Sequence, residues 1–336
     1  MRATQARQHM REVMKTSFGS AILLGLAVAT TGAQAQTFPN RTVNVVVTSA
    51  AGAATDVLTR AVSQRLTQKW GQNVVVENRG GGGHYLAAGV VMNAGLDGHT
   101  LLSSETGLWS SQPHLYAKGK APVDIHNDFV PVAGYASIPV GVLVHPSVAK
   151  SLPELLARAR EKPGSLNFGT AGPGTALHTA ALLLQSLAGI KLTAVHYRGA
   201  APALNDLIAG HINVVIMGPS VALPAVRAGK VNLLAFGGLK RVAQMPEVPT
   251  VAETVPGYDA SVSFGMFALA RTPRSVLAKV NADVQDVIKE PEFHKKFLEP
   301  MVVQPIPGSL EGFAEYLNKD SAKWARVIKE ANLKID

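Results

Sequence analysis

The 336-residue chain contains no cysteine. That excludes disulfide scaffolds, cysteine zinc sites, iron–sulfur clusters and thiol nucleophiles. It also lets the chain fold in an oxidising compartment without mispairing. Aromatics make up only 6% of residues, and Lys and Arg are nowhere clustered in the body of the chain. A stacking platform beside a basic stripe is therefore missing, and nucleic acid is not an expected partner. No apolar run beyond residue 35 reaches the length needed to span a bilayer. No G-x-x-x-x-G-K-[ST], H-E-x-x-H or G-x-S-x-G occurs, and the ten histidines form no ligand-spaced pair. Nucleotide, metal and serine-hydrolase chemistry thus lose their usual signatures, and no cofactor, metal or catalytic residue is expected. Ser147-x-x-Lys150 has the spacing of an acyl-transfer motif but none of its companions, and reads as a turn before a helix.

Apolar residues reach 47%, enough to fill a sizeable core, and mean hydropathy is +0.15. The length fits two domains. The formal charge is +9, of which Arg2, Arg7, Arg11 and Lys15 against Glu12 supply +3. Those charges precede the short apolar run Ala21–Ala29 and the small-x-small triplet Ala33-Gln34-Ala35. Together they read as a secretory signal peptide over residues 1–35, cleaved after Ala35.

Downstream, β-branched runs alternate with amphipathic ones. Thr42–Val47, Asn73–Val76 and His99–Leu102 read as strands, with helices over Asp56–Trp70 and Leu86–Ala94. Ser151-x-x-Glu154 forms a capping box for a helix reaching Glu161. A second alternating series follows. Its strands are Leu166–Phe168, Thr193–His196, Ile212–Ile216 and Val231–Phe236, and its helices are Thr175–Leu187, Pro202–Ala209 and Leu223–Ala228. Ser263–Ala270 reads as one more strand. The helical stretches Pro273–Lys289, Pro291–Leu298 and Leu310–Ala331 have no sheet of their own and complete an earlier domain. Alternation of this kind predicts parallel β-α-β units.

Two small-residue loops link a strand to a helix, Ser49–Thr55 and Thr170–Thr175. Such loops let the main chain approach a ligand, and the free amides at a helix start favour an anion. Thr55, Asp56 and Thr175 are candidate N-caps. His178 lies one turn into the second helix. Ligands of α/β sheets sit at strand carboxyl ends, so one loop in each half suggests a shared site. Three readings remain open on these residues: a solute receptor, an exported α/β hydrolase or isomerase using His178 as a base on a small carboxylate, or an envelope scaffold.

The segments Thr48–Asp56 (TSAAGAATD), Val75–Gly83 (VVENRGGGG), Asp97–Leu102 (DGHTLL), Leu166–His178 (LNFGTAGPGTALH), His196–Leu207 (HYRGAAPALNDL) and Val248–Glu253 (VPTVAE), in this order, resemble the substrate-binding receptors of tripartite tricarboxylate transporters, the Bug-type periplasmic receptors. Phe264–Phe267 and Thr272-Pro273 extend the match nearly end to end. The resemblance implies an α/β, two-lobed periplasmic-binding-protein fold, a Venus flytrap whose lobes are each a mostly parallel sheet flanked by helices. Lobe one would take residues 36–136 and 260–336, and lobe two 137–259. It implies a monomeric, non-catalytic receptor for a small organic carboxylate, serving the permease subunits of a transporter or a sensor protein. The matching ligand positions are Ser49, Ala50, Ala51, Gly52, Ala53, Thr55 and Asp56 in the first loop. In the second half they are Thr170, Ala171, Gly172, Thr175, His178 and Arg198.

Some positions depart from the family pattern. Thr48 and Ser49 replace a usual proline and aromatic, Ala53 replaces a glycine, and Met217-Gly218 stands where many members carry Asp-Asn. With Met217 in that place and Trp109 after the third strand, the expected ligand body is apolar or aromatic. Glu105, close to Trp109, is a candidate acceptor for a cation or hydroxyl.

Overall fold

The computed structural model describes residues 38–81, 84–117, 119–170, 172, 175–197, 200–303, 306 and 308–334, with Ser220 by its backbone only. The signal peptide and its cleavage site lie outside the described residues, as do Ala171 and Arg198. Residues from Arg41 onward form one compact unit.

Among the described residues, ten strands and eleven helices alternate through it. The first half runs β1 (Val43–Val47), α1 (Ala54–Trp70), β2 (Val74–Asn78), α2 (Tyr85–Met92), β3 (Thr100–Glu105), α3 (Gly107–Ser110), α4 (Ile125–Asp128) and β4 (Phe129–Pro139). Then come β5 (Gly141–Val144), α5 (Leu152–Glu161), β6 (Asn167–Thr170), α6 (Ala176–Ala188), β7 (Thr193–His196), α7 (Ala200–Ile208), β8 (Val214–Met217), α8 (Pro219–Arg227) and β9 (Asn232–Phe236). The chain closes with β10 (Ser261–Leu269), α9 (Arg274–Lys289), α10 (Pro291–Phe293) and α11 (Leu310–Glu330).

Two five-stranded sheets result, ordered β2-β1-β3-β10-β4 and β7-β6-β8-β5-β9. In each, four strands run one way and one runs against them, β10 in the first and β5 in the second. The connection explains the reversal. The chain leaves the first sheet at the carboxyl end of β4 and enters the second directly as β5. A strand that starts where its neighbours finish must run opposite to them. β10 makes the same entry on the way back.

The two crossings lie side by side. The Gly237 amide donates to the Val140 carbonyl at 2.6 Å, Ala260 donates to Gly237 at 2.8 Å, and Val140 to Ala260 at 3.3 Å. A Cβ on Gly237 would meet the Ala260 carbonyl oxygen at 2.5 Å, so only glycine lets these segments pack.

Strands β4 and β5 carry no alternation that marks them in sequence, because Pro131, Gly134, Pro139 and Gly141 punctuate them as turns do. Their burial explains the composition. A Cβ on Gly134 would lie 2.3 Å from Ile306 Cδ1, and Pro131 sits beside a register shift against β10. The expected capping box at α5 is half present: Ser151 Oγ accepts from the Glu154 amide, but the Glu154 carboxylate accepts from the Lys150 amide.

Each sheet has its own core. Val46, Leu102, Phe129, Phe267, Phe313 and Leu317 pack on the first, and Val144, Leu155, Phe168, Leu184, Val214 and Ile216 on the second. Helix α11 serves both. Its first turns supply Phe313 and Leu317 to the first core, and its last turns supply Trp324, Val327 and Ile328 to the second. Burying such side chains stabilises each contact by about 1.5–3 kcal/mol. No helix among the described residues is long and apolar enough to cross a membrane.

Candidate functional site

The carboxyl ends of β1, β2, β3, β6, β7 and β8 all face the double crossing, since Pro139 pairs with Ser261 and Gly141 with both Met217 and Phe236. The two loops singled out from the sequence therefore leave their sheets at the ends that face this crossing. Thr106 and Gly107 of the first half share a small cavity there with Ala176 and Thr179 of α6 and with Ser261.

The first loop is held by charge. The Gly52 amide donates to Asp56 Oδ2 at 2.8 Å, while Arg60 Nε and Asn78 Nδ2 each donate to Asp56 Oδ1 at 2.8 Å. Asn78 Nδ2 also reaches the Ser49 carbonyl, and Arg60 reaches Asn78 Oδ1. Burial by itself would raise the Asp56 carboxyl. The Gly52 amide, Asn78 and Arg60 outweigh it and hold the group below the usual carboxylate range. Asp56 is thus a clamp rather than an N-cap. Ala53 occupies the cap position, with no side-chain cap bond, and Thr55 sits buried in the first turn. Ala54, Thr55 and Asp56 are the helix-start residues whose amides have no intrahelical partner. Gly52 has φ +82°, with open space where a Cβ would go, so glycine serves the backbone conformation. Ala50 and Ala51 are exposed, Ser49 is half-buried, and Gly80 packs so closely that its Cβ would come within 3.1 Å of the Ala50 nitrogen.

The second loop is held by hydroxyls. Thr170 Oγ1 and Thr175 Oγ1 both donate to the Gly172 carbonyl at 2.9 Å, and the Gly172 amide donates back to Thr170 Oγ1 at 3.0 Å. Thr175 is the N-cap of α6 and accepts from the His178 amide at 3.4 Å. Gly172 has φ +131°, with Thr175 Cγ2 at 3.8 Å from a Cβ placed there, so the constraint is again conformational, not a shortage of room.

His178 is 5% exposed, stacked on Phe168 with centroids 6.0 Å apart and edge-on to His196 at 5.2 Å. Burial, and next the charge of His196, pushes its pKa down to about 4. A neutral imidazole of such low basicity is a poor proton acceptor at neutral pH.

Two residues expected at the ligand are buried in the lobe cores. Trp109 is buried in the first core, stacked on Phe267 at 6.0 Å, its Nε1 donating to Asn318 Oδ1 on α11 at 3.3 Å. Met217 packs among Leu143, Ala203 and Leu207 in the second half and is 1% exposed. Neither offers an apolar surface to a ligand. Glu105 ends β3 and pairs with a residue that sequence reading passed over, His84, at 2.8 Å. The missed signal was positional: both residues follow strand ends in successive β-α units. Among the described residues no cluster of His, Asp and Glu has metal-binding geometry.

Two sheets joined by a double crossing, with paired loops at one end, define the class of two-lobed periplasmic solute-binding proteins. The comparisons narrow that class. The model of the tripartite tricarboxylate transporter family receptor matches residues 58–333, and the chain belongs to this family. A curated relative, a UPF0065 protein from the tcbD–tcbE intergenic region of Pseudomonas sp., is 35% identical over 317 residues, covering 92% of this chain and 93% of its own. An R. palustris protein solved with adipate superposes with a TM-score of 0.79 at 30% identity, covering 88% of this chain and 99% of its own. The periplasmic binding protein BugD gives a TM-score of 0.76 at 27% identity, over 88% and 99%.

Proposed function

We propose that this protein is an exported, monomeric solute receptor. It binds a small organic carboxylate between two lobes and delivers it to the membrane permease subunits of a tripartite tricarboxylate transporter, or presents it to a sensor protein. Lobe one takes the first sheet, residues 41–139 and 261–334, and lobe two the second. The observation that supports this reading is that two clamped loops, one from each sheet, leave strand ends that face the double crossing. Each loop ends in a helix start whose amides favour an anion. The adipate in the R. palustris neighbour and the periplasmic setting of BugD support the ligand class and the compartment.

Main-chain groups of Ser49–Ala53 and of Gly172 and Thr175 serve as the anion cradle. Asp56, Thr170 and His178 hold the loops in place, and ordered hydroxyls and amides make the cradle polar. No chemical step is assigned. Isothermal titration calorimetry on the mature protein with a panel of mono-, di- and tricarboxylates tests the reading. Saturable one-to-one binding, with the acid recovered chemically unchanged, is the expected result. Conversion of the acid, or no saturable binding by any carboxylate, would overturn it.

A further inference from the structure

Glu105 and His84 form a hydrogen-bonded pair that the loop clamps do not use. Glu105 is the last residue of β3, one residue before Thr106 at the cavity shared by both halves. Its place is fixed from below: Thr48 Oγ1 donates to Ser104 Oγ at 3.0 Å, Ser104 Oγ donates to the Glu105 carbonyl at 2.8 Å, and the Thr106 amide donates to Ser263. His84 caps the start of α2 with φ +78°, in the left-handed region. Its Nε2 meets Glu105 Oε1 at 2.8 Å. The side chains are 17% and 22% exposed, so the pair is withdrawn from bulk water yet reachable. Glu105 Oε2 makes no hydrogen bond to any described residue. Nearby Asp56 and Arg60 are committed to each other. Beside them, Ser49 Oγ is buried with no partner.

A lone carboxylate in that position would repel an anionic ligand. The His84 hydrogen bond offsets that repulsion and leaves the second carboxylate oxygen without a hydrogen bond to a described residue. Burial of His84 favours its neutral form, but the charge and hydrogen bond of Glu105 outweigh this and raise its pKa. The same contact, against burial, lowers that of Glu105.

We propose that Glu105, positioned by His84, is a specificity-determining residue that accepts a hydrogen bond from a hydroxyl or ammonium group on the carboxylate ligand. It thereby selects donor-bearing carboxylates over unsubstituted ones. This rests on the receptor reading above, and it replaces the apolar ligand body expected from Trp109 and Met217. An acceptor left unmatched in a withdrawn site disfavours analogues that lack the donor.

The test is calorimetry with matched acids: malate and aspartate against succinate, 2-hydroxyadipate and 2-aminoadipate against adipate, and mandelate against phenylacetate. In the wild-type protein at least one donor-bearing acid should bind about tenfold or more tighter than its unsubstituted match. In Glu105→Ala the ratio should fall to within about threefold. Glu105→Gln, of the same size, should lose the preference for the ammonium acids. His84→Ala should weaken all acids, through the unbalanced Glu105 charge, and lower the ratio, because Glu105 loses the partner that positions it. Melting curves establish that each variant is folded. Equal binding of matched acids by the wild type, or a ratio that survives Glu105→Ala, would overturn the proposal and leave the receptor reading intact. If no acid binds at all, both fall.

Discussion

The two loops occupy equivalent places in the two sheets, yet they are built from different chemistry. The first is an ionic clamp: Asp56, Arg60 and Asn78 gather the Gly52 amide and the Ser49 carbonyl. The second is neutral: two threonine hydroxyls converge on the Gly172 carbonyl, above a buried uncharged histidine. Either solution presents a fixed main chain to an anion. An ionic clamp is stronger per contact and fails when its carboxylate is protonated. A hydroxyl clamp is weaker per contact, and its weak point under acid is the imidazole beneath it. The two halves should therefore come apart at different pH.

Removing the ionic clamp should have the largest effect. Asp56→Ala leaves Arg60, Asn78 and the Gly52 amide without their shared acceptor, and a loss of about 3 kcal/mol is expected in chemical denaturation. A loss under about 1 kcal/mol would mean that the loop is held by packing alone.

The next effect separates the halves by pH. The folded pKa of His178 is about 4, below the ordinary value of 6.5, so the unfolded chain takes up the proton first as pH falls. Stability attributable to this group is full above pH 6.5, declines between 6.5 and 4, and is flat below. The decline should reach on the order of 2–3 kcal/mol. His178→Leu should flatten that window. The Asp56 contribution has the opposite sign of charge: present above the ordinary carboxyl value of 3.8, it is lost only as pH falls below that. A profile in which His178→Leu leaves the 4–6.5 window unchanged would contradict the assignment.

Backbone changes should be smaller and unequal. Gly52→Ala and Gly172→Ala both force a side chain into positive φ, at +82° and +131°, without a steric clash. About 1–2 kcal/mol is expected for Gly52, which is near the left-handed well, and more for Gly172, which is outside it. Equal melting shifts would show that the loops tolerate strain alike. The smallest effect belongs to Thr175→Ala, which removes one cap and one of two hydroxyls on Gly172, at a cost of about 1 kcal/mol. A ligand affinity that falls further for Thr175→Ala than for Gly172→Ala would show that the hydroxyl, not the main chain, contacts the ligand.

Much of this arrangement was legible in the sequence because it obeys local rules. β-branched runs such as Val43–Val47 and helices ended by glycine, as at Gly71 and Gly189, need no tertiary information. The loops were legible by the same means, as small-residue turns between a strand and a helix. What escaped was set by packing. Strands β4 and β5 look like turns because their glycines and prolines answer to Ile306, Phe313 and a register shift far away in sequence. Trp109 and Met217 drew notice as large apolar residues at strand ends. Their burial depends on Phe267, Asn318 and Ala203, which no local pattern connects to them. His84 and Glu105 are 21 residues apart, and only the parallel pairing of β1 with β2 and β3 brings them together.

The central claim is that two loops on two lobes meet across one solute. Small-angle scattering of the mature protein tests it most directly, with and without a saturating carboxylate chosen by calorimetry. The hinge formed by Val140, Gly237 and Ala260 should let the lobes approach, so the radius of gyration should fall on binding. An unchanged radius at full saturation would contradict closure of the lobes on the ligand.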